Sequence, residues 1–142
     1  MSWLQKNRVL VPIDFSEESF AALQPAREFV TDASQLYVLH VLSYLHPAEP
    51  GVVWSNLDDQ KRQQKVEAAF HERFQNSEYE NVHINVAVGD PSSEIIDYAK
   101  TIDADLIVIP SHGRTGLSRF FLGSVAERVI RFSHCPVVVL RK

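Results

Sequence analysis

The sequence predicts a three-layer α/β domain built on a parallel sheet of five strands, and three observations carry that reading. Five short segments rich in β-branched residues are apolar almost throughout, as strands covered on both faces must be. The segments between them carry apolar residues at helical spacing instead. The two kinds alternate with little linker, giving the order β-α-β-α-β-α-β-α-β within one domain spanning residues 1–142.

Val9 to Ile13 forms the first strand. Ser16, followed by Glu17 and Glu18, then caps a helix with Phe20, Leu23, Ala26 and Phe29 on one stripe. Pro25 falls inside that pattern, where its ring is expected to kink or shorten the helix. Leu36 to Leu42 is the second strand, and the stretch from Ser43 to Leu57, with Pro47, Pro50, Gly51 and Trp54, is long and irregular. A helix near residues 58–76 follows, its stripe made by Val66, Ala69, Phe70 and Phe74, and Asp58-Asp59 at its start suit the helix dipole. Val82 to Val88 is the third strand. Asp90-Pro91 then pairs a capping side chain with a proline at the first helical position, ahead of Ile95, Ile96, Ala99 and Ile102. Leu106 to Ile109 is the fourth strand, Val125, Ala126, Val129 and Ile130 stripe a helix that begins near Ser124, and Pro136 to Leu140 closes the sheet.

Composition narrows the function. The chain has 142 residues, 45% of them apolar and 23% charged, enough to hold a core without metal or disulfide staples. Its apolar runs fall far short of a bilayer span. Nothing at Met1 to Arg8 marks the chain for secretion. One cysteine, Cys135, cannot build a disulfide framework, so a reducing cytoplasm is the expected setting and Cys135 a small core residue. A net charge of −4 argues against nucleic acid as partner. The charge is uneven, however: residues 1–102 hold eight Lys/Arg against fifteen Asp/Glu, and residues 103–142 hold six against three. That asymmetry points to a local anionic ligand late in the chain.

In an open α/β sheet, ligands bind beyond the carboxyl ends of the strands, where the winding reverses. The candidate loops are therefore 14–19, 43–57, 89–91 and 110–124, and the last is the informative one. Three of the five glycines, Gly113, Gly116 and Gly123, lie between Pro110 and Ser124. Glycine lets backbone amides approach an anion closely. Gly123-Ser124-Val125 at a helix start offers unpaired amides, the positive dipole end and a hydroxyl, while Arg114 and Arg119 add charge. The same residues also make an ordinary glycine-bearing turn with a serine cap, and both readings stand on the residues alone.

Other motifs fail on physical grounds. His134-Cys135 with Arg141 matches the letters of a tyrosine phosphatase signature, but Pro136 to Leu140 is stiff extended chain, which separates Cys135 from Arg141 by roughly 20 Å. No Gly-x-x-x-x-Gly-Lys-Ser/Thr, Gly-x-Gly-x-x-Gly or Gly-x-Ser-x-Gly sequence occurs. A receiver domain requires an acidic cluster where Asp14 stands alone, and the six histidines show no metal-ligand spacing.

The 110–124 loop resembles the nucleotide-binding signature of the universal stress protein family: Gly, two residues, Gly, nine residues, Gly, then Ser or Thr. Gly113, Gly123 and Ser124 match the second and third glycines and the hydroxyl, and Pro110 holds the place of the first glycine. Val9 to Ser16 is similar to the family's first strand and turn, and Cys135 to Arg141 to its last strand. The resemblance implies the strand order 3-2-1-4-5, which sets Asp14 beside the 110–124 loop. It also implies a cytoplasmic stress-response protein of the ATP-binding branch. By similarity Pro12, Ile13 and Asp14 meet base and ribose, and Val41 presents its backbone to the adenine edge. Gly113, Arg114, Gly123, Ser124 and Val125 hold the phosphates, with Mg²⁺ bridging to Asp14 or Ser124. A homodimer paired through the C-terminal strand completes the picture.

Alternatives stay open beside it. Asp14 also reads as a turn acid, Val41 as strand core, Arg114 and Arg119 as solvated, and His112 as a loop-ordering residue. With His112 and flexible arginines as its only chemistry, a slow ATP hydrolase or phosphoryl donor is secondary to a binding protein. Pro110 in place of glycine raises a third reading, a nucleotide-free interaction dimer.

Overall fold

The computed structural model describes residues 4–43, 55–111 and 122–141 and, within 55–58, the backbone alone. The strands β1 (Val9–Pro12), β2 (Leu36–Leu42), β3 (His83–Val88), β4 (Leu106–Pro110) and β5 (Val137–Leu140) form one parallel sheet in the order β3-β2-β1-β4-β5. This is the α/β class that the alternating pattern predicts and the strand order that the resemblance implies.

Two cores flank the sheet. On one face Val9, Val11, Val38, Leu106 and Val108 pack with Ala22, which joins two short helices, α1 (Glu17–Ala21) and α2 (Leu23–Arg27), with Leu23 and Ala26 of α2, and with Phe70 and Phe74 from α3 (Ser55–Phe74). On the other, Leu10, Leu39, Ile107 and Ile109 meet Ile95 and Ala99 of α4 (Pro91–Thr101) and Ala126 and Val129 of α5 (Ser124–Phe132). Strand side chains alternate between faces, so Leu10 and Val11 serve opposite cores, and the continuous apolarity of the strands is explained.

Several boundaries differ from expectation. The first helix is interrupted at Ala22 rather than kinked at Pro25. Pro25 thereby falls in the first turn of α2, where a missing amide hydrogen costs nothing. Helix α3 starts at Ser55, so Asp58-Asp59 lie inside it rather than at its start; the apolar stripe begins only at Val66 and carries no signal for the turns before it. Ala69 is exposed, lying about 100° around the helix from the centre of the Val66–Phe70–Phe74 stripe. Ile130 is likewise 43% exposed, on the rim of the α5 stripe. Ile13 lies just past β1, β4 extends through Pro110, and Val82 and Pro136 precede their strands. Cys135 is half-buried against the second core rather than enclosed by it.

The start signals form as read. Ser16 accepts the Ser19 amide at 3.1 Å to cap α1, and Asp90 accepts the Ser93 amide at 3.0 Å to cap α4, with Pro91 at the first helical position.

Candidate functional site

The β1–β4 ladder runs only through Val9↔Leu106 and Leu10↔Ile107, whereas the outer pairs continue to Pro12↔Leu39 and Pro110↔Leu140. The two central strands thus part above Leu10 and Ile107, at the point where the winding reverses. A cleft of about 320 Å³ opens there, walled by the ends of β1, β2 and β4 and by the starts of α4 and α5. Pro12, Ile13, Asp14, Val41, Gly123, Ser124 and Val125 all line it. Sequence positions more than a hundred residues apart therefore share one crevice. Gly113 and Arg114, like His112, Arg119 and Trp54, lie outside the described residues.

The β1 side of the cleft is a tightly ordered turn. The Asp14 carboxylate accepts the Ser16 amide at 2.9 Å, and the Asp14 amide donates to the Ser19 hydroxyl at 3.3 Å. Asp14 is thus both the turn acid and a cleft residue. Phe15 follows with φ of 66°, a left-handed conformation that a bulky residue adopts only when its surroundings impose it. Its ring lies 4.6 Å from Phe70, 5.4 Å from Phe20 and 5.0 Å from His40, measured between centroids. The His40 Nδ1 sits 2.7 Å from the Ile13 carbonyl. Because that carbonyl can only accept, Nδ1 carries the proton. The 13–15 turn is therefore held from both sides by side chains of β2 and α3.

The opposite wall is the first turn of α5. Gly123 is its N-cap, with φ of −63° and ψ of 151° and no capping side chain, and its amide donates to the Ser111 carbonyl at 2.8 Å. The first intrahelical bond runs from Glu127 to Gly123 at 2.9 Å. The amides of Ser124, Val125 and Ala126 thus belong to the first turn and have no helical acceptor. At the α4 rim, hydrogen bonds from the Ser93 amide and the Ser92 hydroxyl hold the Asp90 carboxyl below the usual carboxylate range.

Chemically, the cleft pairs an apolar interior (Leu39, Val41, Ile95, Ile109) with a carboxylate on one wall and helix-start amides on the other. That arrangement suits a ligand with a flat apolar body, hydroxyls and an anionic end. Ser19, Pro91 and Ser111, which fall in three of the candidate loops, also line the cleft, together with His40 of β2 and Ile95 of α4, which lie outside those loops. Pro91 thus both opens α4 behind the Asp90 cap and lines the cleft, as the strand-end rule expects of the 89–91 loop. Among the described residues no group of three or more His, Cys, Asp or Glu is placed to hold a metal ion, and no helix is long and apolar enough to cross a membrane.

Comparison with known proteins adds an independent line. Residues 6–141 match the profile of the Universal stress protein family. Universal stress protein MJ0531 of Methanocaldococcus jannaschii is 35% identical over 95% of this chain and 82% of its own. Two solved structures superpose with a TM-score of 0.75. One is the universal stress protein UspA from Lactobacillus plantarum, 28% identical over 96% of this chain and 99% of that one. The other is MJ0577 of M. jannaschii, 29% identical over 96% of each chain.

Proposed function

The chain belongs to the universal stress protein family, and from that premise we propose that it is a cytoplasmic stress-response protein whose cleft binds an adenine nucleotide, ATP by the family resemblance. The observation that carries this reading is the convergence of Asp14, at the end of β1, with the uncapped first turn of α5 across one apolar crevice. The base lies in the apolar interior near Ile13 and the Val41 backbone, Asp14 takes the ribose, and Gly123, Ser124 and Val125 take phosphate, joined by Gly113 and Arg114. Amides at a helix start favour a phosphate through both their hydrogen atoms and the helix dipole.

The donor set fits Mg²⁺ only as a partner of phosphate. Mg²⁺ keeps several waters and takes one or two protein oxygens, which Asp14 or Ser124 would supply. The ion would neutralise phosphate charge. Binding is the activity these residues support: an apolar seat, a carboxylate and helix-start amides.

Residues 1–142 are taken to work as one domain and to pair as a homodimer through β5. That strand is a sheet edge with half-buried Val137 to Leu140, and Phe132 on the adjoining helix is 55% exposed. An unpaired edge of this kind is an association hazard unless a partner covers it. Sedimentation at micromolar concentration yields a dimer on this reading, and a monomer refutes the pairing.

Calorimetric titration of nucleotide-stripped protein with ATP tests the main proposal. Saturable binding that weakens about tenfold or more in Asp14→Ala, as loss of a charge-assisted hydrogen bond requires, is the expected result. No binding, or equal affinity in the variant, overturns it.

A further inference from the structure

The polarity of the cleft floor can be read residue by residue. Along a strand, successive residues direct their N–H and C=O groups to alternate sides within the sheet. Ile13 donates to Leu39 on the β2 side at 2.9 Å, so Pro12, one residue earlier, turns its backbone polar atoms toward β4. Ile107 and Ser111 donate to Pro136 and Leu140 on the β5 side at 3.0 and 2.9 Å, so Pro110 between them turns toward β1. The β1–β4 ladder has already ended at Leu10↔Ile107, and both prolines line the cleft. Each offers a carbonyl oxygen to the crevice, and neither has an amide hydrogen to offer.

We propose that Pro12 and Pro110 make the cleft floor an acceptor-only strip that seats the hydroxyl groups of the ligand's sugar and turns an anion away, confining phosphate to the α5 end. This rests on the adenine-nucleotide reading and assigns the parts of that ligand to the two ends of the cleft. An anion over the floor meets two carbonyl oxygens with no compensating donor. In the same cleft, the amides of Ser124, Val125 and Ala126 offer donors without helical acceptors. Proline is otherwise disfavoured within a central strand because it deletes a ladder bond. Here Pro12 and Pro110 stand where the next β1–β4 amides would fall, so the ladder stops at them and their carbonyls are left facing the cleft. Pro110 is thus a specificity-determining residue, because it removes a donor where the family's motif carries a glycine.

The test titrates wild type, Pro110→Ala and Pro12→Ala with adenosine, 2′,3′-dideoxyadenosine, ATP and inorganic triphosphate, with melting curves confirming that each variant folds. Restoring the amide at position 110 is expected to strengthen binding of ATP and inorganic triphosphate about tenfold or more, the effect of one charged hydrogen bond, and to leave adenosine no tighter. Dideoxyadenosine is expected to bind wild type several-fold more weakly than adenosine. Equal triphosphate affinity in wild type and both variants overturns the proposal, as does dideoxyadenosine binding as tightly as adenosine. If Pro110→Ala fails to fold, Pro12→Ala supplies the same donor from the β1 side. The inorganic triphosphate arm is independent of adenine. If wild type binds no adenine compound, the nucleotide reading fails alone, and gain or no gain of triphosphate binding in the variants still decides the floor.

Discussion

Replacing Phe70 by alanine tests how the core and the cleft are joined. Phe70 is fully buried, with ring centroids 4.6 Å from Phe15, 5.8 Å from Phe74, 6.2 Å from Phe20 and 6.3 Å from His40. Truncating a buried phenylalanine costs about 3–5 kcal/mol in lost transfer energy and residual cavity. Against a total stability of about 5–15 kcal/mol, that is a large fraction, and at about 2–4 °C per kcal/mol it lowers the melting temperature by roughly 10 °C. Phe70 also holds the ring of Phe15, whose left-handed backbone adjoins Asp14. Phe70→Ala should therefore weaken nucleotide binding even at temperatures where the variant is fully folded. Phe74→Ala is the control: Phe74 is 4% exposed and packs on Phe20, Phe70 and Tyr79, with no ring contact to Phe15 among the described pairs. Urea unfolding measures the first effect and calorimetry the second. A loss below about 1 kcal/mol in Phe70→Ala, far under the cavity cost, or equal effects of both variants on affinity, refutes the reasoning.

Gly89→Ala places a side chain on a backbone with φ of 155°, and its Cβ would lie 2.5 Å from the Glu94 Oε1. The carboxylate end can swing away but the backbone cannot, so urea unfolding should show a loss of about 1–3 kcal/mol that Glu94→Ala fails to rescue. Asp90→Ala removes the α4 cap and costs about 1 kcal/mol near neutral pH. Because the folded carboxyl is depressed, mainly by the Ser93 amide, its contribution is complete above the ordinary carboxylate range and lost as pH falls through the folded value. Unfolding curves of wild type and Asp90→Ala should therefore converge in acid; a gap that widens on acidification refutes the assignment. Gly123→Val sits at an extended φ of −63° that any residue adopts, so it should weaken ATP binding by bulk with little change in melting temperature, and an unchanged affinity counts against phosphate at α5. Burial pushes the Cys135 thiol up, partly opposed by the Ser133 hydroxyl, so alkylation at neutral pH should be slower in folded than in unfolded protein.

Periodicity and capping made most of the fold legible. Continuous apolar runs identify the five strands because both faces of each are covered, and Ser16 and Asp90-Pro91 mark their helices by side chains that find the expected amides. Where a helix faces solvent the signal fades. The start of α3 carries no apolar stripe, and Ala69 and Ile130 sit off their stripes by a rotation that residue type alone does not reveal. The interruption at Ala22 has no residue signal, because alanine is a strong helix former and the nearest breaker, Pro25, lies three residues downstream. Seven of the nine expected cleft residues line one crevice, and the other two lie outside the described residues. The strand-end rule and the family motif both depend on chain order, which the sequence states directly. His40 was not legible as a cleft residue: its role depends on which carbonyl its ring meets across β1 and β2, a tertiary fact. The left-handed Phe15 is similar, since only an assembled cluster of rings imposes that conformation.

Amide chemical shifts followed by NMR during titration of uniformly labelled protein with ATP report most directly on the cleft. Saturable shifts that move together at Asp14 on one wall and at Ser124, Val125 and Ala126 on the other, with the far ends of the strands unmoved, are the predicted result. Shifts confined to one wall, or centred away from the ends of β1 and β4, contradict the account.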